Sequence, residues 1–165
     1  MLFSCAPGSS AGVISGPARR RRSRHLIVDI HCHVHSPEAD ELVRPSFERQ
    51  REPLLRFSSE ESRRINRENS QRIRTKLTSL DARLQDMDRM GVDVQALSPS
   101  PLNCNYWAEP ELGLTAAKLV NDRIAEMVAG HPERFVGLGT VPLQAPELAI
   151  AELERAVRRL GLRGV

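Results

Sequence analysis

The stretch HLIVDIHCHVHS, His25–Ser36, determines how the rest of the chain is interpreted. Its apolar, β-branched beginning predicts a short buried strand. Side chains alternate between the two faces of a strand, so His31, His33 and His35 are expected on one face. Imidazoles about 7 Å apart along a strand can converge on one transition-metal ion. The pattern favours a metal site built on His31 and His33, and the alternative is a solvated polar strand end.

Two neighbours of this histidine pair are candidates for supporting roles. Asp29 has the same alternation as His31 and His33, so we expect it to orient a ligand as a hydrogen-bond acceptor. His35 precedes the bend predicted at Ser36–Pro37, and we expect it to belong to the loop or to act behind the ligands.

Beyond this strand, the apolar pattern alternates between helical and extended segments. A helix is predicted from Lys76 to the stop at Gly91, then a strand over 92–98. A second helix, capped by Thr115 and ended by Gly130, precedes a third strand in RFVGLGTVPL, and a third helix begins at Pro146. The apolar residues of the first helix are Leu77, Leu80, Leu84, Met87 and Met90. Those of the third helix are Leu148, Ile150, Leu153, Val157 and Leu160. LRGV at the end predicts the start of a fourth strand.

This order of elements predicts an α/β fold with parallel strands, as the N-terminal half of a (β/α)₈ barrel or as a small open sheet. A complete barrel takes about 250 residues, so 165 residues predict about half of one. We expect residues 1–24 to be a disordered basic leader and residues 25–165 to form an incomplete barrel. Residues 36–74 have no sustained period and predict a long loop with helical pieces.

Composition narrows the classes of partner. The net charge is +3, and the run RRRRSR at 19–24 has no interleaved aromatics or recognition helix, so no nucleic-acid partner is expected. No apolar stretch reaches the roughly 18 residues that span a bilayer, so no membrane partner is expected. Three scattered cysteines do not make a disulfide framework and favour a reducing cytoplasm.

Polar and aromatic residues outside the strand give weaker signals. Arg64 and Arg67, in RRINREN, could bind a substrate carboxylate in a bidentate manner, but on composition alone a solvated helix face is favoured. Tyr106 and Trp107 follow the second strand, on the side where barrels bind substrates, and such aromatics most often pack a loop.

Several motifs, in order, resemble a known family. VDIHCHVH, RINREN, RLQDMDRMGVDVQALSPSP, NYWAEPE and ERFVGLGTVPLQAPELAIAELERAVRRLGLRGV are together similar to the amidohydrolase-related family, and within it to the aminocarboxymuconate-semialdehyde decarboxylase group. The resemblance covers nearly all of residues 27–165 except the loop at 36–60, and the block from Arg134 is its most specific part.

The resemblance implies a metal-bearing (β/α)₈ barrel whose first two metal ligands are His31 and His33, with zinc or another divalent metal as the cofactor. It implies decarboxylation of a small unsaturated carboxylated substrate, such as aminocarboxymuconate semialdehyde, and the alternative within the family is hydrolysis of an amide or lactone. It assigns Arg64 to the substrate carboxylate, against the interpretation from composition, and places Trp107 in a matching substrate loop.

The family's remaining metal ligands and its acid–base histidine belong to later strands and have no counterpart in this sequence. We therefore expect either the N-terminal piece of a longer protein or a truncated half-barrel that is inactive alone, because two histidines leave zinc under-coordinated. Self-association into a homodimer is left open.

Overall fold

Three parallel strands form the sheet in the computed structural model, which describes residues 25–48 and 51–165. The strands are β1 (Val28–Val34), β2 (Val94–Pro99) and β3 (Phe135–Gly137), in the spatial order β1-β2-β3. The predicted fourth strand is not a regular strand, but Arg163 donates its backbone N–H to Gly137, and Gly139 donates to Gly164. The predicted parallel α/β architecture is confirmed. The predicted leader at 1–24 lies outside the described residues.

Six α-helices connect and flank these strands in the part of the chain that the structure describes. They are α1 (Pro37–Val43), α2 (Pro53–Arg56), α3 (Glu60–Thr78), α4 (Leu80–Met90), α5 (Pro110–Gly130) and α6 (Pro146–Arg158). None of them is both long and apolar enough to cross a membrane. Gly91 ends α4 with a φ of 74°, and Pro146 occupies the first turn of α6, both as predicted.

Three predicted boundaries were wrong. The region 36–74 contains a 19-residue helix, α3, that runs past Lys76 to Thr78, and Ser79 then caps α4 by accepting from the Ala82 N–H. α5 begins at Pro110, so Thr115 is inside the helix, where its hydroxyl donates to the Glu111 carbonyl. The third strand is also shorter than predicted, because the chain leaves the sheet after Gly137.

The core lies between the sheet and helices α4, α5 and α6. Cys32 and Val34 of β1, Leu97 of β2 and Phe135 of β3 are buried there. The helices contribute the buried side chains Met87, Val120, Ile124, Met127 and Ala156. This packing fixes which side of each strand faces the helices and leaves the other side for the candidate site.

A buried polar cluster joins α5, α6 and the loop after β3, and we call it the helix-pair network: Asn121, Thr140, Glu152 and Arg155. The Asn121 side chain accepts from the Thr140 N–H at 2.7 Å and donates to the Thr140 carbonyl at 2.9 Å. It also donates to Glu152 at 2.7 Å. Arg155 donates to both oxygens of Glu152, which raises the pKa of the guanidinium. These bonds satisfy a carboxylate that is only 1% exposed.

Candidate metal centre

His31 and His33 lie together at the carboxyl end of β1. Their ring centroids are 5.0 Å apart and the rings meet edge to face, at 75°. His31 is exposed and His33 is half-buried. The predicted placement of the two imidazoles on one face is therefore present, with rings close enough to serve one ion.

The hydrogen bonds of His33 select its ligand nitrogen. Its Nδ1 lies 3.0 Å from the Pro99 carbonyl oxygen and 3.2 Å from the Ser98 hydroxyl. A carbonyl only accepts, so this contact assigns the ring proton to Nδ1 and leaves the Nε2 lone pair for a metal. Burial, and then the neighbouring His31, lower the pKa of His33, which favours the neutral ring that binds metals.

The strand is irregular just before these histidines. Asp29 pairs with Gln95 and Cys32 pairs with Leu97, so β1 has one more residue than β2 in this interval. Such a β-bulge reverses the alternation of side chains. Asp29 is therefore in register with the buried Gln95, on the helix side of the sheet, and not on the face of His31 and His33. The expected alternation of Asp29 was wrong for this reason.

Asp29 still supports the site, through the backbone. Its carboxylate accepts from the His31 N–H at 3.1 Å and from the Gln95 side-chain amide at 3.0 Å. Gln95 in turn accepts from Arg83 at 3.0 Å. We call Asp29, Gln95 and Arg83 the strand network.

Arg83 is a buried cation behind the two histidines, with 6% of its surface exposed. Besides Gln95, its guanidinium donates to the carbonyl oxygen of His33 at 2.5 Å and to that of Lys76 at 3.1 Å. Burial lowers the pKa of Arg83, and the neighbouring Cys32, Asp29 and Asp86 raise it and so offset part of that shift. Sequence reasoning did not identify Arg83 or Gln95. The available signals were a charge on the apolar face of α4 and a polar residue inside an apolar strand.

His35 belongs to the loop after β1, as expected. Its Nε2 lies 2.7 Å from a carboxylate oxygen of Asp40 in α1, and its backbone N–H donates to Leu77. Within residues 25–48 and 51–165, no three His, Cys, Asp or Glu side chains are gathered as a metal site. The described donor set is therefore two imidazoles, which fits part of the coordination shell of a divalent metal.

The other predicted site residues lie apart from this pair. Arg64 is on α3, where it pairs with Glu61 at 2.6 Å and Glu68 at 2.7 Å, and 52% of its side chain is exposed. Trp107 is buried against Phe47, with ring centroids 5.2 Å apart. Tyr106 is 46% exposed, beside Cys104 and Thr140. The described contacts of Arg64 and Trp107 are with Glu61, Glu68 and Phe47, and none is with His31 or His33. Their predicted substrate roles therefore stay predictions.

Curated relatives of this chain are decarboxylases. Over 85 residues, 52% of this chain and 24% of the relative, it is 45% identical to 2-amino-3-carboxymuconate-6-semialdehyde decarboxylase of Dictyostelium discoideum. Over 93 residues, 56% of this chain and 28% of the relative, it is 38% identical to gamma-resorcylate decarboxylase of Polaromonas sp.. The matches thus span about a quarter of the relatives' length.

Several solved structures of similar fold are also decarboxylases. Dihydroxybenzoic acid decarboxylase from Polaromonas sp. JS666, with bound manganese and 2-nitroresorcinol, has a TM-score of 0.64 at 27% identity, covering 86% of this chain and 38% of that one. 5-Carboxyvanillate decarboxylase from Novosphingobium aromaticivorans, complexed with manganese, has a TM-score of 0.68 at 26% identity, covering 86% and 41%.

These neighbours are barrels, of which the present chain corresponds to about 40%. The predicted partial barrel agrees with that share. The sequence also matches the family described as Amidohydrolase over residues 28–165, a range that includes the histidine pair and all three strands. By this match the resemblance predicted from the motifs is confirmed, and the chain belongs to the amidohydrolase family.

Proposed function

We propose that this chain carries the first metal-binding strand of a divalent-metal-dependent decarboxylase acting on a small carboxylated substrate. The observation that carries the proposal is the His31–His33 pair, with rings 5.0 Å apart and the Nδ1 of His33 held by the Pro99 carbonyl. Decarboxylases among the curated relatives and solved neighbours support this reaction over hydrolysis.

His31 and His33 would hold the metal, and residues other than these two would supply its further ligands. A divalent metal there would supply a Lewis acid to the reaction. Zinc is the metal we propose, because imidazole ligands bind zinc more tightly than manganese in the usual affinity order. Manganese is the second ion to test, since it is bound in two of the similar structures.

The chain's own residues would prepare the two ligands and bind the substrate. The Pro99 carbonyl holds the proton of His33 on Nδ1, and the partial burial of His33 lowers its pKa, which favours the neutral ring. We propose that Arg64 binds the substrate carboxylate after exchanging its contacts with Glu61 and Glu68, and that buried Trp107 shapes the substrate loop. The proposed substrate is 2-amino-3-carboxymuconate 6-semialdehyde, and 2,6-dihydroxybenzoate is the alternative.

Metal content and decarboxylation, measured on the same sample of the protein as it occurs in the cell, test this proposal. His31→Ala and His33→Ala should each lose bound metal and carbon dioxide release from both candidate substrates, because each removes one ligand. His131→Ala is the matched control, since this half-buried histidine precedes β3, at the opposite end of the sheet. Retention of metal and activity by both strand variants would refute the site.

The same assay separates substrate binding from metal binding. Arg64→Ala should raise KM for the carboxylated substrate while the metal content stays that of the wild type. Arg72→Ala is its control, because Arg72 is exposed on the same helix and bonds only within it, to Asn69, among its described contacts. An unchanged KM would return Arg64 to the role of a solvated helix residue.

A further inference from the structure

We infer that Arg83 and Gln95 are positioning residues, which hold the backbone from His31 to His33 so that both imidazoles reach one metal ion. The inference rests on the proposed metal site. Neither residue touches an imidazole in the described contacts. Their effect passes through the peptide groups at the two ends of the His31–Cys32–His33 segment.

The restraint on this segment begins at the bulge in β1. The extra residue between Asp29 and Cys32 takes backbone groups out of the regular ladder with β2. The N–H of His31 is satisfied instead by the Asp29 carboxylate at 3.1 Å. A bulge beside an active site commonly redirects a side chain, and here it turns Asp29 to the helix side of the sheet while His31 and His33 share the other face.

The restraint continues from Asp29 into the interior. Gln95 is only 4% exposed, and its amide donates to the second carboxylate oxygen of Asp29 at 3.0 Å. The Gln95 oxygen accepts from Arg83 at 3.0 Å. A side-chain amide has one acceptor end and one donor end, so this arrangement fixes the orientation of Gln95 and thereby that of Asp29.

The same guanidinium also restrains the other end of the segment. Arg83 donates directly to the His33 carbonyl, while a further contact with the Lys76 carbonyl anchors it to the last turn of α3. One buried side chain therefore restrains the His33 carbonyl directly and the His31 N–H through Gln95 and Asp29. Fixing both peptide groups limits the rotation of the strand that would separate the rings.

Energetics distinguish this role from simple packing. Desolvating a guanidinium is costly, and an apolar side chain of similar volume often stabilises a core as well or better. The hydrogen bonds of Arg83 to oxygen atoms go to one amide oxygen and two backbone carbonyls, and its guanidinium also lies beside the Cys32 side chain. Their common consequence is the geometry of the strand end, which is what a metal site needs from residues behind its ligands.

Metal affinity in matched variants tests the inference. Binding of Mn²⁺ and Zn²⁺ is titrated against a competing chelator, below the melting temperature of every variant. Arg83→Met and Gln95→Leu should weaken binding about 10- to 100-fold, the range found when partners behind metal ligands are removed. Arg83→Lys should recover part of the affinity, because an ammonium can still donate to the His33 carbonyl.

Arg123→Met is the control for losing a partly buried arginine. Arg123 of α5 also donates to a backbone carbonyl, that of Thr78, but its described hydrogen bond does not lead to β1. It should keep wild-type affinity. Equal weakening in Arg123→Met, or unchanged affinity in a folded Gln95→Leu protein, would overturn the inference. If Arg83→Met does not fold, Gln95→Leu decides.

A second readout keeps the inference separate from the proposed function. Wild-type protein that binds neither ion would refute the metal site itself. The positioning role is then judged from hydrogen exchange of the His31 amide in metal-free protein. Faster exchange in Gln95→Leu than in Arg123→Met sustains it, because Asp29 has lost its support. Equal exchange rates in these two variants overturn it.

Discussion

The strand network and the helix-pair network are both buried, and each contains an arginine, but their hydrogen bonds end in different places. In the helix-pair network, Arg155 saturates the carboxylate of Glu152, and Asn121 connects it to Thr140. In the strand network, Arg83 ends on an amide and on backbone carbonyls, one of which belongs to His33.

This difference separates two uses of buried polarity. A carboxylate satisfied by an arginine and an amide connects two helices, and its loss should appear as lost stability. An arginine that donates to the peptide group of a metal ligand holds that ligand in position, and its loss should appear first as weaker metal affinity. The two networks therefore make opposite predictions for the same pair of measurements.

The largest effect on stability is expected for Glu152→Ala. The change removes the acceptor of Asn121 and Arg155 from a site that is 1% exposed, so the free energy of unfolding should fall by about 3 kcal/mol. Metal affinity of the folded protein should stay within twofold of wild type, by the usual limit for distant sites. Urea unfolding and chelator competition on one sample measure both quantities.

Glu154→Ala is the matched control for this variant. Glu154 is on the same helix and pairs with Arg158, but both side chains are more than half exposed. Such pairs contribute about 0.5 kcal/mol or less. If Glu152→Ala lowered metal affinity as much as Gln95→Leu, the two networks would not be separable and the comparison would fail.

A smaller effect is expected when the helix-pair network is displaced by steric contact. An added Cβ at Gly139 would lie 2.6 Å from the Asn121 side-chain oxygen and 3.1 Å from Leu162. Gly139→Ala should therefore push Asn121 off the Thr140 N–H and lower the free energy of unfolding by about 1–3 kcal/mol. Denaturant unfolding measures the change.

Gly130→Ala gives the opposite sign and serves as its control. Nothing lies within 4 Å of an added Cβ at Gly130, the last residue of α5. Alanine is the better helix former, so stability should rise by up to about 1 kcal/mol. Equal losses in the two glycine variants would mean that the close approach at Gly139 has no energetic consequence.

The sequence predicted the features that depend on local pattern. The histidine pair, the stop at Gly91 and the parallel order of strands follow from alternation, from the left-handed conformation that glycine accepts, and from the order of elements. α3 was missed because only Ile65, Ile73 and Leu77 among its 19 residues are large and apolar, too few to give a sustained helical period.

The support of the candidate site was not predictable in the same way. A bulge is one residue long and has no pattern of its own, so the placement of Asp29 on the helix side could be seen only in the register with β2. Arg83 and Gln95 come from different elements, and their meeting depends on how α4 packs against the sheet.

The smallest expected effect concerns Tyr106, which belongs to the loop after β2 and lies beside Thr140 of the helix-pair network. It is the only tyrosine in the sequence, so the ultraviolet absorbance of its phenolate reports one group. Burial, and then Cys104, raise its pKa above the ordinary 10.0, while the Thr140 hydroxyl lowers it. The spectroscopic midpoint in folded protein should therefore lie above pH 10.0.

The sign for stability follows from the same shift. A phenol whose pKa is higher in the folded than in the unfolded chain contributes stability that is fully present below the unfolded pKa and is lost as pH rises through the folded one.

Cys104→Ala should lower the spectroscopic midpoint of Tyr106, which stays above 10.0 because burial is the larger cause, whereas Thr140→Val should raise it. Gln95→Leu should leave it unchanged, since the strand network does not include this loop. A midpoint that moves with Gln95 but not with Thr140 would reverse the assignment of Tyr106 to the helix-pair side of the molecule.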